Sequence, residues 1–265
     1  MKKRTLTLAL ITALTVSMHS SANVRENKDF IKQVSATSGK SIHVLNTNGS
    51  ITIETWKNDS ILVNASIEVR ARHRHDAERG IDRVRVRIDE SQNEMRIEAV
   101  FPKQDHARGF WDWVFGRKVQ AEVQFYITVP QQSDLALATV NGQIDVGSVI
   151  GKVNMRTTNG DLRAETANGS IQANTTNGSI RIRCTQFKQG DRLDCRTVNG
   201  EVSVVVSKKI QAEVDLSTVN GQVTCDFPLE VEGGISNNHI RGRIGQGGGE
   251  IRCVTVNGSV SIRRD

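Results

Sequence analysis

TVNGQIDVG SVIGKVNMR TTNGDLRAE TANGSIQAN TTNGSIRIR, residues 139–183, is one nine-residue phrase written five times without a gap. Four further copies begin at Asn46, Thr197, Thr218 and Thr255. The fourth position is glycine in all nine, namely Gly49, Gly142, Gly151, Gly160, Gly169, Gly178, Gly200, Gly221 and Gly258. The third is asparagine in every copy but one, where Ile150 stands. Asn-Gly tolerates positive φ, so each pair predicts a tight reversal of the chain. Positions six and eight are apolar (Ile144 and Val146, Val153 and Met155, Ile180 and Ile182) while positions five, seven and nine are mostly polar. Period-two alternation of this kind predicts a short strand with one wet face.

A turn and a strand repeated every nine residues fit two all-β architectures. In an antiparallel β-meander each Asn-Gly is a hairpin turn. In a β-solenoid, a single-stranded β-helix-like coil, two units make one turn and like residues stack rung upon rung. Near-identity of the units favours the solenoid, because a coil presents each unit with the same surroundings. The steps from Gly178 to Gly200, Gly221 and Gly242 predict further coils in chain order.

Outward from the repeats, residues 1–22 read as a secretory signal peptide. Met1-Lys2-Lys3-Arg4 is basic, Leu6 to Met18 is apolar, and Ser20-Ser21-Ala22 is a small-residue cleavage site. A periplasmic or secreted protein follows. Removing Lys2, Lys3 and Arg4 takes three from the formal charge of +6. The remaining field is too weak to point to nucleic acid. In an exported chain four cysteines predict disulfides. Cys184 and Cys195 bracket one interruption of the period, Cys225 and Cys253 another, so the expected pairs are Cys184–Cys195 and Cys225–Cys253.

Residues 23–135 form a broader β-rich N-terminal region, and 136–265 the repeat region. Alternation predicts strands at 61–71, 84–88, 95–101 and 119–129. Between the first two, HDAERGID predicts a helical turn or two, with Asp76 as N-cap. VQFYITVP (123–130), followed by ATVNGQIDV and serial Asn-Gly phrases, resembles the bacterial putative-adhesin domain family with β-strand repeats. That resemblance covers roughly residues 35–265. It implies a fold and frequent export, and no assigned activity.

The least ordinary segment is ARGFWDWVFGRK, 107–118, which packs Phe110, Trp111, Trp113 and Phe115 into six residues between Gly109 and Gly116. Each aromatic has on the order of 150–250 Å² to bury. The segment is therefore either a cap over an open end of the stack or a contact with an envelope protein, a glycan or the membrane surface. Arg83, Arg85 and Arg87 alternate with Val84, Val86 and Ile88 and form a candidate basic face for phosphate or sulfate groups. Nearby acidic residues make a salt-bridged strand the simpler expectation. His73 and His75 lack further ligands at persuasive spacing, so neither metal nor cofactor is expected. The function that fits is an exported, non-enzymatic, adhesin-like or envelope-structural scaffold. The alternative is a β-helix enzyme acting on polysaccharide, for which Asp145 and Asp161 are the nearest thing to a carboxylate pair.

Overall fold

The structure, a computed structural model, describes residues 24–35, 40–91, 93–101, 119–231 and 236–265. The signal segment and the aromatic segment Phe110–Phe115 lie outside the described residues.

The described residues form one helix and strands throughout. β1 (Val24–Ser35), β2 (Ser41–Leu45), β3 (Ile51–Trp56) and β4 (Ser60–Ala71) precede α1 (Arg74–Ile81). β5 (Arg85–Glu90), β6 (Glu94–Val100), β7 (Val119–Pro130) and β8 (Asp134–Ala138) follow. The first repeats give β9 (Ile144–Ile150), β10 (Val153–Arg156), β11 (Leu162–Asn168), β12 (Ile171–Asn174) and β13 (Ile180–Cys184). Next come β14 (Arg192–Arg196), β15 (Val202–Val206), β16 (Ala212–Ser217) and β17 (Val223–Cys225). The chain finishes with β18 (Glu230–Val231), β19 (His239–Ile244), β20 (Gly249–Val254) and β21 (Val260–Arg264).

These strands lie in two facing sheets. The first has the order β1-β4-β7-β3-β9-β11-β13-β15-β21-β17, the second β18-β19-β16-β20-β14-β12-β10-β8-β2-β6-β5. In the repeats the pairing is parallel, with Val153 opposite Ile171 in one sheet and Leu162 opposite Ile180 in the other. Two nine-residue units therefore make one coil, and the meander is excluded. Antiparallel strands finish both ends: β1, β4 and β7 with β5 and β6 at one, β16, β19 and β18 at the other. Both sheets run unbroken across residue 135, since β3 pairs with β9 and β2 with β8.

Positions six and eight fill the space between the sheets. Ile144, Met155, Leu162, Ala173 and Ile180 are all fully buried. Each large apolar side chain removed from water contributes roughly 1.5–3 kcal/mol. One coil's strand cannot hide these side chains alone, so the energy arises only on stacking.

The two edges of the stack differ. Apart from the connection between β6 and β7, each crossing from the second sheet to the first spans five residues and carries the T-x-N-G phrase, or Asn46-Thr47-Asn48-Gly49 in the first. Here the asparagines form a ladder through Asn48, Asn141, Asn159, Asn177, Asn199, Asn257 and Asn220, each Nδ2 from Asn141 onward donating to the Oδ1 of the asparagine before it at 2.8 Å. Beneath it the buried threonine hydroxyls of Thr139, Thr157, Thr175, Thr197, Thr255 and Thr218 donate to glycine carbonyls of the adjoining coil at 2.8–3.2 Å. Asn46 takes the threonine's place in the first copy and donates to the carbonyls of Gly49 and Val123.

Stacking also revises the reason for the glycines. Gly49 and Gly169 have φ of +117° and +115°, as a tight reversal predicts. Gly142 and Gly221 are not in that region, yet a Cβ on either would lie 2.1 Å or less from the carbonyl oxygen of the glycine one rung away. Close approach of backbone to backbone is the shared constraint.

Among the T-x-N-G rungs chain order is broken once. β20 and β21 insert between β14–β15 and β16–β17, so Gly258 follows Gly200 in the stack and Gly221 comes last. The expected even progression to Gly242 fails, because Gly242 is a mid-strand residue of β19 against β18. The cysteines are affected as well. All four are free thiols in this structure. Register places Cys195 opposite Cys253, whereas Cys184 and Cys225 lie in the other sheet. The expected pairs assumed that coils stack in chain order.

Candidate functional site

The end of the stack nearest the N-terminus carries the candidate site. β4 ends at Ala71 in the first sheet, and α1 carries the chain across to β5 in the second. α1 is eight residues long and starts at His73 (φ −122°, ψ 144°) with no side-chain cap. Asp76, expected at the cap, instead sits in the first turn, and Arg79 in the last, each at the helix end that favours its charge. Ala77 and Gly80 are the buried face. Gly80 allows the approach to β4, because a Cβ there would meet Val69 Cγ1 at 2.8 Å.

With Ala77 and Gly80 turned inward, the connection turns its arginines outward. Arg72, Arg74, Arg79, Arg83 and Arg85 are all exposed. Arg74 lies 3.7 Å from Glu26 and 3.6 Å from Glu78. Arg72, Arg79, Arg83 and Arg85 make no ion pair among the described residues.

The basic trio read from the sequence is thereby divided. Arg83 precedes β5, its N–H donating to the Gly80 carbonyl at 3.1 Å. Arg85 opens the strand opposite Val100. Arg87 is neutralised by Asp89 at 2.7 Å and Glu98 at 2.8 Å, and Glu98 also meets Arg96 at 3.4 Å. Two of the three have no ion pair among the described residues, and Arg72 and Arg79 join them. A helix hiding only two small residues was the signal for Arg79.

The flanks of the aromatic segment are at this same end. Val100, opposite Arg85, precedes the buried Phe101, and Val119 lies opposite Ala71.

The repeat faces are electrostatically different. Arg163 bridges Asp145 and Asp161 at 3.4 and 3.2 Å, and Arg181 joins Asp161 at 3.1 Å. Burial opposes ionisation of Asp161, but the Ser179 N–H and Arg181 outweigh it and hold the carboxyl below its usual range. A general acid needs the opposite shift. Asp145 and Asp161 are therefore two ends of an ion-pair network. No group of three or more His, Cys, Asp or Glu able to hold a metal is gathered among the described residues. No helix among them is long and apolar enough to cross a membrane.

The Toastrack DUF4097 family model matches residues 131–263, β8 to β21 nearly entire. The chain belongs to this family. The matched span contains eight of the nine repeat phrases, and the match agrees with the resemblance drawn from them. β1 to β7, with α1 and its arginines, precede the matched span.

No curated protein matches the chain. Among solved structures, a putative cell adhesion protein from Clostridium sporogenes ATCC 15579 is 12% identical with a TM-score of 0.49, covering 91% of this chain and 100% of its own. A putative adhesin from Bacteroides fragilis NCTC 9343 is 10% identical with a TM-score of 0.34, covering 90% and 97%.

Proposed function

We propose that this Toastrack protein is an exported, non-enzymatic scaffold that docks on an anionic envelope surface through the end bearing α1 and the start of β5. The observation that carries this reading is a contrast in pairing. On the repeat faces Arg163, Arg181, Arg192 and Arg196 are each matched with a nearby carboxylate, while the isolated Arg156 and Arg263 are not, among the described residues. At the N-terminal end Arg72, Arg79, Arg83 and Arg85 are exposed together without one among the described residues. Guanidinium groups free of local partners suit phosphate oxygens, which they bind in a bidentate manner. Phe101 and Val119, between which the sequence holds the Phe110–Phe115 segment with Arg108, Arg117 and Lys118, are at the same end. Aromatic and basic residues together suit a membrane interface. Export rests on Met1–Ala22.

The test is co-sedimentation of the mature chain with vesicles. Binding is expected to vesicles containing phosphatidylglycerol and to be lost on pure phosphatidylcholine and in high salt. Each arginine near an anionic surface contributes about 1 kcal/mol, so Arg79→Ala/Arg83→Ala/Arg85→Ala should weaken binding roughly 100-fold. Unchanged binding by the triple variant would reject this surface as the contact. Absence of vesicle binding by the native chain would reject the lipid reading.

A further inference from the structure

The intercalation of the last coil creates a thiol pair that chain order conceals. β14 and β20 run parallel with Cys195 directly opposite Cys253, and both side chains are fully buried. Adjacent strands are about 4.8 Å apart, inside the roughly 4.4–6.8 Å between Cα atoms that a disulfide spans. The other cysteines are elsewhere. Cys184 lies in β13 and donates to the Gln186 carbonyl at 3.0 Å. Cys225 lies in β17, with β15 and β21 between it and β13, and its thiol faces the Phe227 carbonyl at 4.0 Å.

We propose that Cys195 and Cys253 are joined by a disulfide that locks the C-terminal coil between the two coils it separates. The bond would enclose β15 to β19 in one covalent loop. β16 and β17 pair with β20 and β21, so the coil that arrives last in the chain holds the preceding one in the stack.

The chemistry is thiol–disulfide exchange with a disulfide oxidant, either oxidised glutathione or the disulfide of an oxidoreductase. One cysteine thiolate attacks the oxidant and expels one of its sulfurs as a thiolate. The second cysteine thiolate then displaces the other sulfur from the mixed disulfide. Two protons and two electrons leave the protein, one S–S bond forms, and the oxidant becomes two thiols. In the folded chain the neighbouring Cys253 thiol and burial push the Cys195 thiol well up, leaving little thiolate and no access. Exchange therefore precedes the seating of β20, and bond formation is coupled to insertion.

The mature chain should be refolded with oxidised and with reduced glutathione, alkylated in denaturant and digested with trypsin. Cleavage at arginine and lysine puts Cys195 in 193–196, Cys253 in 253–263 and Cys184 in 184–188, while Cys225 stays in the longer 210–241. The oxidised sample should contain 193–196 joined to 253–263, with Cys184 and Cys225 alkylated. Its Tm should exceed that of the reduced sample by about 10 °C. In Cys195→Val/Cys253→Val that difference should vanish, and in Cys184→Ala/Cys225→Ala the linked peptides should persist. Alkylated Cys195 and Cys253 in the oxidised native chain, or either one joined to Cys184 or Cys225, would overturn the proposal.

Discussion

The two edges of the stack solve one problem, returning the chain from sheet to sheet, in opposite ways. On the T-x-N-G edge all seven crossings have the same five-residue length, the asparagines bonding to their own copies and the threonines to the glycine carbonyl one rung away. On the other edge the crossings are two residues at Gly151-Lys152 and seven at 185–191, and the register shifts between Ala164 and Thr166. Sequence identity is thus required where copies are partners. Where they are not, insertions and whole elements such as β18 and β19 are accommodated. The repetition is a bonding requirement of one edge, and the variable elements are where a contact surface has room to form.

The largest effect should come from the glycines, which break the comparison if it is wrong. A Cβ on Gly160 would lie 2.0 Å from the Gly142 carbonyl oxygen, although its φ of +159° is nearly extended. Gly190, on the opposite edge, has a strained φ of +86° and nothing within 4 Å. Urea unfolding should show Gly160→Ala costing more than about 3 kcal/mol and Gly190→Ala about 1 kcal/mol. Equal costs would mean that backbone conformation, and not stacking, selects the glycines.

A smaller effect sharpens the account of the ladder. Asn177 donates to Asn159 and accepts from Asn199, whereas Asn220 is the last rung and donates only to Asn257. Asn177→Ala should cost about 1–2 kcal/mol and Asn220→Ala about half as much, read from shifts in the urea midpoint. Similar costs at both positions would show that each asparagine serves its own turn and not its neighbours.

Much of the fold was legible because it follows from local pattern. Val153, Met155, Ile180 and Ile182 alternate, and they are buried as alternation requires. What was not legible is adjacency. TVNGQVTCD and TVNGSVSIR are equally good rungs, and nothing in either tells which will lie beside Thr197-Val198-Asn199-Gly200. The intercalated coil was therefore invisible, and the cysteine pairing inferred from chain order went with it. Which of the basic trio would be paired was hidden for the same reason, since Glu98 reaches Arg87 only through the register of β5 and β6. Asp76 was misplaced by three residues because the helix starts at a residue, His73, whose side chain makes no cap.

Site-specific photo-crosslinking in living cells from positions 83 and 176 tests the division of labour most directly. Both positions are exposed, one at the arginine-bearing end and one on the asparagine-ladder edge. Docking through the N-terminal end predicts crosslinks from position 83 to an envelope component and, from position 176, none beyond the chain itself. A partner captured from position 176 with none from position 83 would make the ladder edge the contact surface and contradict the account.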